Sequence, residues 1–201
     1  RIGVSRAFPI ASTYPAVALV FGLVFLHERV DAAVVVGLLL VLGGVILVSR
    51  PHFDLEAERG AFMTWGIPFA LLAAFSWGAA TVLLGPGIEG LDVIMVASIR
   101  TPALSLMLWG IVALRGTFPR LLTLSRTEWL TLIVGGLVAW GLGSFFFLRA
   151  VSLIGPTRTA ILTSTAPLFA LPMNVVFLKE KVNLVILIGT VLAVAGIALV
   201  S

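Results

Sequence analysis

Arg100 is a base inside an apolar run. Counted from Val93 at about 1.5 Å per residue, it lies on the order of 11 Å into a helix that otherwise reads as a membrane span. A guanidinium at that depth is costly unless it faces protein or water, and there it would attract a carboxylate or phosphate. The alternative is a side chain that snorkels to the nearer surface or braces the carbonyls of a broken neighbouring helix. A second constellation is Thr163-Ser164-Thr165, one turn before Pro167. The proline has no N–H to offer the carbonyl of Thr163, so a bare carbonyl beside three hydroxyls would make a polar spot suited to a neutral or zwitterionic ligand. Alternatively the hydroxyls bond back to the preceding turn and the proline only sets a kink. Ser12, Thr13 and Pro15 repeat the tract. Asn174 follows two turns beyond Pro167, where it would line a cavity or tie two helices together. Ser76 and Trp77 read as cavity lining, Trp140 equally as packing. The candidate substrate-binding residues are therefore Arg100, Ser76, Trp77, Thr163, Ser164 and Asn174.

The groups needed for other chemistries stand elsewhere. All nine acids, Glu28, Asp31, Asp54, Glu56, Glu58, Glu89, Asp92, Glu128 and Glu180, fall in loops or at helix ends. An acid relay of the kind proton-coupled carriers commonly use has no candidate within these spans. A membrane-embedded enzyme would need a nucleophile with a base, or a metal cluster, at membrane depth, and no His, Asp, Glu, Lys or Cys lies there. No catalytic residue, metal ligand or cofactor is therefore assigned. His27 and His52 sit in different loops without ligand spacing. A heptahelical receptor fits the span count but not the internal repeat described below. The only lysines, Lys179 and Lys181, lie in a turn and leave no intrahelical Schiff base.

Composition names the solvent that must surround these residues. With 60% apolar and 11% charged residues and a mean hydropathy of +1.19, a chain of this length could not hide its surface from water. The partner is a lipid bilayer, and the formal charge of +4 reports membrane topology rather than nucleic-acid affinity. Absence of cysteine excludes disulfides and thiol chemistry. The chain opens on Arg1, has its first methionine at Met63 and starts in mid-repeat, so the expectation is a truncated N-terminus.

Seven apolar runs follow in order: 7–26, 32–49, 61–84, 93–114, 129–148, 159–178 and 184–200. Residues 1–49 and 153–201 align without a gap, with about 19 of roughly 49 positions identical, including Arg6 with Arg158, Pro15 with Pro167, Glu28 with Glu180, Gly37 with Gly189 and Gly44 with Gly196. The chain thus carries the same helical hairpin twice. Residues 50–60, with Pro51 as a helix stop, read as a linker. On this reading residues 1–49 are the last two helices of a first repeat, and residues 61–201 form a complete second repeat of five. Three more helices, about 90 residues, would complete the first. An odd number of helices per repeat inverts the second copy, the arrangement typical of alternating-access carriers. The fold class expected is an all-α membrane protein, a multi-span bundle of inverted five-helix repeats with seven spans of ten present. Gly135, Ala139 and Gly143 would form a packing seam, Gly189 and Ala193 another, and Glu28 and Glu180 would cap helices or pair with cations in their turns.

The residues FALLAAFSWGAATVLL at 69–84, Arg100, the Ser/Thr-x-Pro tracts ending at Pro15 and Pro167, and the turns FLHERV at 25–30 and FLKEKV at 177–182 resemble the EamA family of the drug/metabolite transporter superfamily. The resemblance covers essentially the whole chain. The family turn usually carries Gly before the Glu, where this chain has His27 and Lys179. The resemblance implies a ten-helix transporter exporting or exchanging small metabolites, in the plasma membrane of a bacterium or archaeon, with a small-molecule substrate, no nucleic acid and room for a homodimer. It also implies a cytoplasmic C-terminus. The positive charges grouped by side point the other way, and the expectation follows the resemblance.

Overall fold

The computed structural model describes residues 10–49, 63–121, 123–166, 168–169 and 184–200. All regular structure among them is helical: α1 (Tyr14–Phe25), α2 (Ala32–Ser49), α3 (Met63–Ile88), α4 (Val93–Leu114), the short α5 (Phe118–Leu121), α6 (Arg126–Gly136), a π-helical stretch (Leu137–Leu142), α7 (Gly143–Ile154), α8 (Pro156–Thr163) and α9 (Leu184–Val200). This is an all-α membrane protein. Ile67–Ile88, Val93–Leu114 and Arg126–Ile154 are long and apolar enough to cross a bilayer. In that solvent a span must pair its own backbone groups, and only a helix does so within one segment.

Local chemistry sets the helix ends. Asp31 Oδ1 accepts from Val34 N at 3.1 Å at the start of α2, and Asp92 Oδ1 accepts from Ile94 N at 2.9 Å and Met95 N at 3.2 Å at the start of α4. Ser125 and Glu128 form a reciprocal capping box on α6. Capping of α2 falls to Asp31, so of the two roles expected of Glu28, capping a helix or pairing with a cation, the cap of α2 is taken by its neighbour. The connection expected over 149–158 is also shorter: α7 continues to Ile154 and α8 starts at Pro156, with Gly155 between them at φ 82°. That left-handed conformation is open to glycine without steric cost.

His27 takes a positive φ of 51° in the turn between α1 and α2. By the resemblance this position is expected to carry glycine, which takes such a φ without steric cost. A side chain in the left-handed region costs about 1–2 kcal/mol, partly offset on mutation by the greater backbone freedom of glycine in the unfolded chain. His27→Gly should therefore raise the melting temperature in detergent by about 2 °C. A lower melting temperature would mean that the imidazole holds the turn by a contact worth more than the strain.

Packing divides the chain into two compact units, Arg1–Pro86 with Ile154–Ser201, and Gly87–Leu153. In the first, the most extensive contact is between α2 and α9. The buried stripe of α9, Ile186, Gly189, Ala193, Gly196 and Val200, has its repeat mates at Val34, Gly37, Val41, Gly44 and Val48, which are the buried stripe of α2. A Cβ added to Gly196 would lie 2.6 Å from Gly37 O, and one added to Gly37 would lie 2.8 Å from Gly196 O. Gly44 meets the carbonyl of Gly189 in the same reciprocal way. The helices therefore cross antiparallel, backbone against backbone, with repeat mates exchanging partners about a local two-fold. Val34, Leu38, Val41, Val45, Ile161 and Val200 form the core beside this crossing. Ala18, Val82 and Ala160 form a second core where α1, α3 and α8 meet.

In the second unit the apolar surface is turned outward. The most apolar window of Arg126–Ile154 is 0% buried. The seam expected at Gly135, Ala139 and Gly143 does not pack here: a Cβ at Gly135 would meet nothing within 4 Å, and one at Gly143 only Val138 O at 3.5 Å. Small residues permit a close approach, but the partner must bring a matching stripe. Among the described residues that match occurs between α2 and α9.

Candidate functional site

The described residues of the two Ser/Thr-x-Pro tracts fold alike. Around the first, Thr13 N donates to Ile10 O at 3.1 Å and Ala16 N to Thr13 O at 3.0 Å; around the second, the repeat mates Thr165 N and Leu168 N donate to Leu162 O at 3.2 Å and Thr165 O at 2.8 Å. The hydroxyls match too, with Thr13 Oγ1 donating to Ile10 O at 2.7 Å and Thr165 Oγ1 to Leu162 O at 2.6 Å. Each tract thus interrupts its helix with three-residue turns rather than continuing the four-residue ladder. Ser164 Oγ donates to Ile161 O at 2.7 Å and is only 4% exposed. Its hydroxyl turns back on its own helix, the alternative weighed for this tract.

Thr163 behaves differently. Its Oγ1 donates to Thr159 O at 2.8 Å and shares a 2.7 Å bond with the hydroxyl of Tyr14 across the contact between α1 and α8. Either hydroxyl can be the donor in that pair, and the phenolic oxygen keeps a lone pair for an incoming donor. The Tyr14 ring lies 6.2 Å from the Trp77 ring at an interplanar angle of 59°, and Trp77 is 53% exposed. Gly78, the next residue, lets α3 approach here, because a Cβ would come 2.7 Å from Tyr14 O. Two of the sequence candidates, Trp77 and Thr163, are therefore brought together, and Tyr14 joins them. Sequence reasoning passed over Tyr14. Its signals were that it is the single tyrosine of the chain and stands inside the repeated tract, directly before Pro15.

Ser76 is exposed on α3. Asn174 and Pro167 lie outside the described residues. Arg100 belongs to the other compact unit, where it is half-buried and its Nη1 donates to Ser144 Oγ at 3.3 Å, linking α4 to α7. A neutral hydroxyl partner leaves the guanidinium charge uncompensated by this bond. As a planar fork with five donors, the group retains capacity for a bidentate anion.

The profile of the EamA-like transporter family matches residues 1–50 and 64–201. The chain belongs to the EamA-like transporter family. It is 28% identical over 199 residues to an uncharacterized transporter of Archaeoglobus fulgidus, covering 99% of this chain and 66% of that protein. It is 23% identical over 198 residues to the uncharacterized transporter YxxF of Bacillus subtilis, covering 98% and 61%. It is also 26% identical over 136 residues to the uncharacterized inner membrane transporter YhbE of Escherichia coli K12, covering 67% and 42%. The chain spans less than two thirds of the length of these relatives. As an EamA-like chain it is an integral membrane protein, and its helical hairpins carry the polar tracts described above.

Proposed function

We propose that this EamA-like chain works as a secondary transporter of small metabolites by alternating access in a bacterial or archaeal plasma membrane. The observation that carries the reading is the reciprocal crossing of the repeated helices α2 and α9, Gly37 on Gly196 and Gly44 on Gly189. Two copies of one hairpin that run antiparallel can exchange conformations, which makes two faces of the membrane equivalent in turn. The substrate would meet Trp77, Thr163 and Tyr14, an aromatic face beside paired hydroxyls, with Ser76, Ser164 and Asn174 on the same stretches. Arg100 is proposed separately as an anchor for an anionic group. The relatives, uncharacterized transporters of bacteria and an archaeon, support the class and the membrane.

The reading is tested by reconstituting the chain in proteoliposomes and measuring counterflow of a panel of labelled metabolites. Saturable counterflow of at least one of them is expected. Tyr14→Phe, which removes the hydroxyl paired with Thr163 and leaves the ring, should raise KM for that metabolite by about two- to tenfold, the worth of one hydrogen bond. Absence of saturable flux across the panel would overturn the transporter reading; an unchanged KM would remove Tyr14 from the site.

A further inference from the structure

At the end of the first unit away from Tyr14, a cavity of about 170 Å³ is lined by Glu28, Arg29, Val34, Ile154, Thr157 and Arg158. It lies where the turn between α1 and α2 meets the start of α8. Thr157 and Thr163 are six residues apart on α8, so the cavity and the Tyr14 group are separated by about 9 Å along the helix. α1 and α8 run antiparallel, with Tyr14 opposite Thr163 and Ala18 O accepting from Thr157 Oγ1 at 3.4 Å.

The Glu28 carboxylate is held in place by its surroundings. Its backbone N–H donates to Gly22 O at 3.0 Å. A Cβ at Gly22 would lie 2.7 Å from Glu28 Oε2, and one at Gly155 would lie 3.3 Å from Oε1. The side chain thus rests against two glycine backbones that leave it room. Asp31, the other acid of the turn, is engaged in capping α2, so Glu28 is the carboxylate presented to the cavity. Arg29 and Arg158 stand around the same space, and the first turn of α8 adds its partial positive charge. The cavity therefore has one acidic and two basic residues in its lining, in a volume comparable to cavities that admit a benzene-sized molecule. The sequence carries the same polar types at the repeat mates, Ser5 for Thr157, Arg6 for Arg158, Glu180 for Glu28 and Lys181 for Arg29. Retention of all four in two copies that differ at most positions points to a shared task beyond packing.

We propose that this cavity binds a zwitterionic group, its anionic end on Arg158 and Arg29 and its ammonium on Glu28. A free amino-acid-like solute and a phosphatidylethanolamine headgroup share that chemistry. The site is independent of the transport reading, since neither its geometry nor its test involves the Tyr14 group.

The test is titration calorimetry of the purified chain in a non-ionic detergent with four probes: L-alanine, dihexanoyl phosphatidylethanolamine, acetate and ethylamine. One of the two zwitterions should bind at least tenfold more tightly than acetate or ethylamine. Binding of L-alanine identifies a free solute as the source, and binding of the short lipid alone identifies the headgroup. Glu28→Gln should erase the preference for zwitterion over acetate while acetate binding persists, a change of ratio that a merely structural role would not produce. Arg158→Gln should weaken the zwitterion at least tenfold, and if that variant does not purify, exposed Arg29→Gln carries the same expectation. Acetate binding as tightly as the zwitterions, failure of all four probes to bind, or an unchanged ratio in Glu28→Gln would each overturn the proposal.

Discussion

Gly44→Leu should lower the melting temperature in detergent by about 10 °C, while Gly43→Leu, one residue earlier on the same helix, should shift it by no more than about 2 °C. A Cβ at Gly44 would fall against the Gly189 carbonyl and within 2.7 Å of Ala193 Cβ and N, whereas a Cβ at Gly43 would meet nothing within 4 Å. Overpacking a core costs about 1–3 kcal/mol where side chains can give way. Here the obstruction is largely backbone on a second helix, so the upper end of that range or more is expected, at roughly 2–4 °C per kcal/mol for a chain of this size. The pair is its own control, because hydropathy and helix propensity change equally at both sites. Gly143→Leu should resemble Gly43→Leu, since that position is open apart from a carbonyl of its own helix. Equal melting of the Gly44 and Gly43 variants would mean that α2 and α9 do not cross as described. Because the same crossing supports the inverted arrangement, that result would also weaken the alternating-access proposal.

Arg100→Gln should reduce transport of an anionic or zwitterionic substrate at least tenfold, with Arg100→Lys keeping a part of the activity. The charge is the larger factor, because a guanidinium removed from bulk water attracts an anionic group far more strongly than an amide does, and lysine restores the charge without the fork. Ser144→Ala separates anchor from brace. It removes the 3.3 Å bond between α4 and α7 but leaves the cation. If Arg100 anchors substrate, Ser144→Ala keeps most of the flux; if Arg100 serves only to hold α4 on α7, Ser144→Ala and Arg100→Gln lose thermal stability together and flux falls with it. Arg100→Gln with normal flux and normal stability would remove Arg100 from the pathway. The sites to examine would then be the Tyr14, Trp77 and Thr163 group.

Where the apolar runs fall on described residues they are largely helical, and this was legible in the sequence because a bilayer leaves a segment little choice: about 20 residues without charge must pair their own backbone and become a helix. The ungapped offset was equally legible, since it needs no structure to be seen, and the described residues Thr13 and Thr165 make matching hydrogen bonds in the two tracts. Faces and partners were not. These helices are apolar around their whole circumference, so no alternation of polar and apolar residues marks the side that packs. Two glycine stripes read alike, and only the facing partner distinguishes Gly44, closed against α9, from Gly135, open on every side. The same holds for Tyr14: its place in the repeated tract was visible, but its bond to Thr163, 149 residues away in sequence, exists only once α1 lies antiparallel on α8. Glu28 likewise sits in a turn where capping a helix or pairing with a cation was the local expectation. The approach of α8 with Arg158 gives it a cavity to face instead. Helix association in lipid is decided by shape and polar pairing between two surfaces rather than by removal from water, and a single strand of sequence holds each surface without saying which other surface it meets.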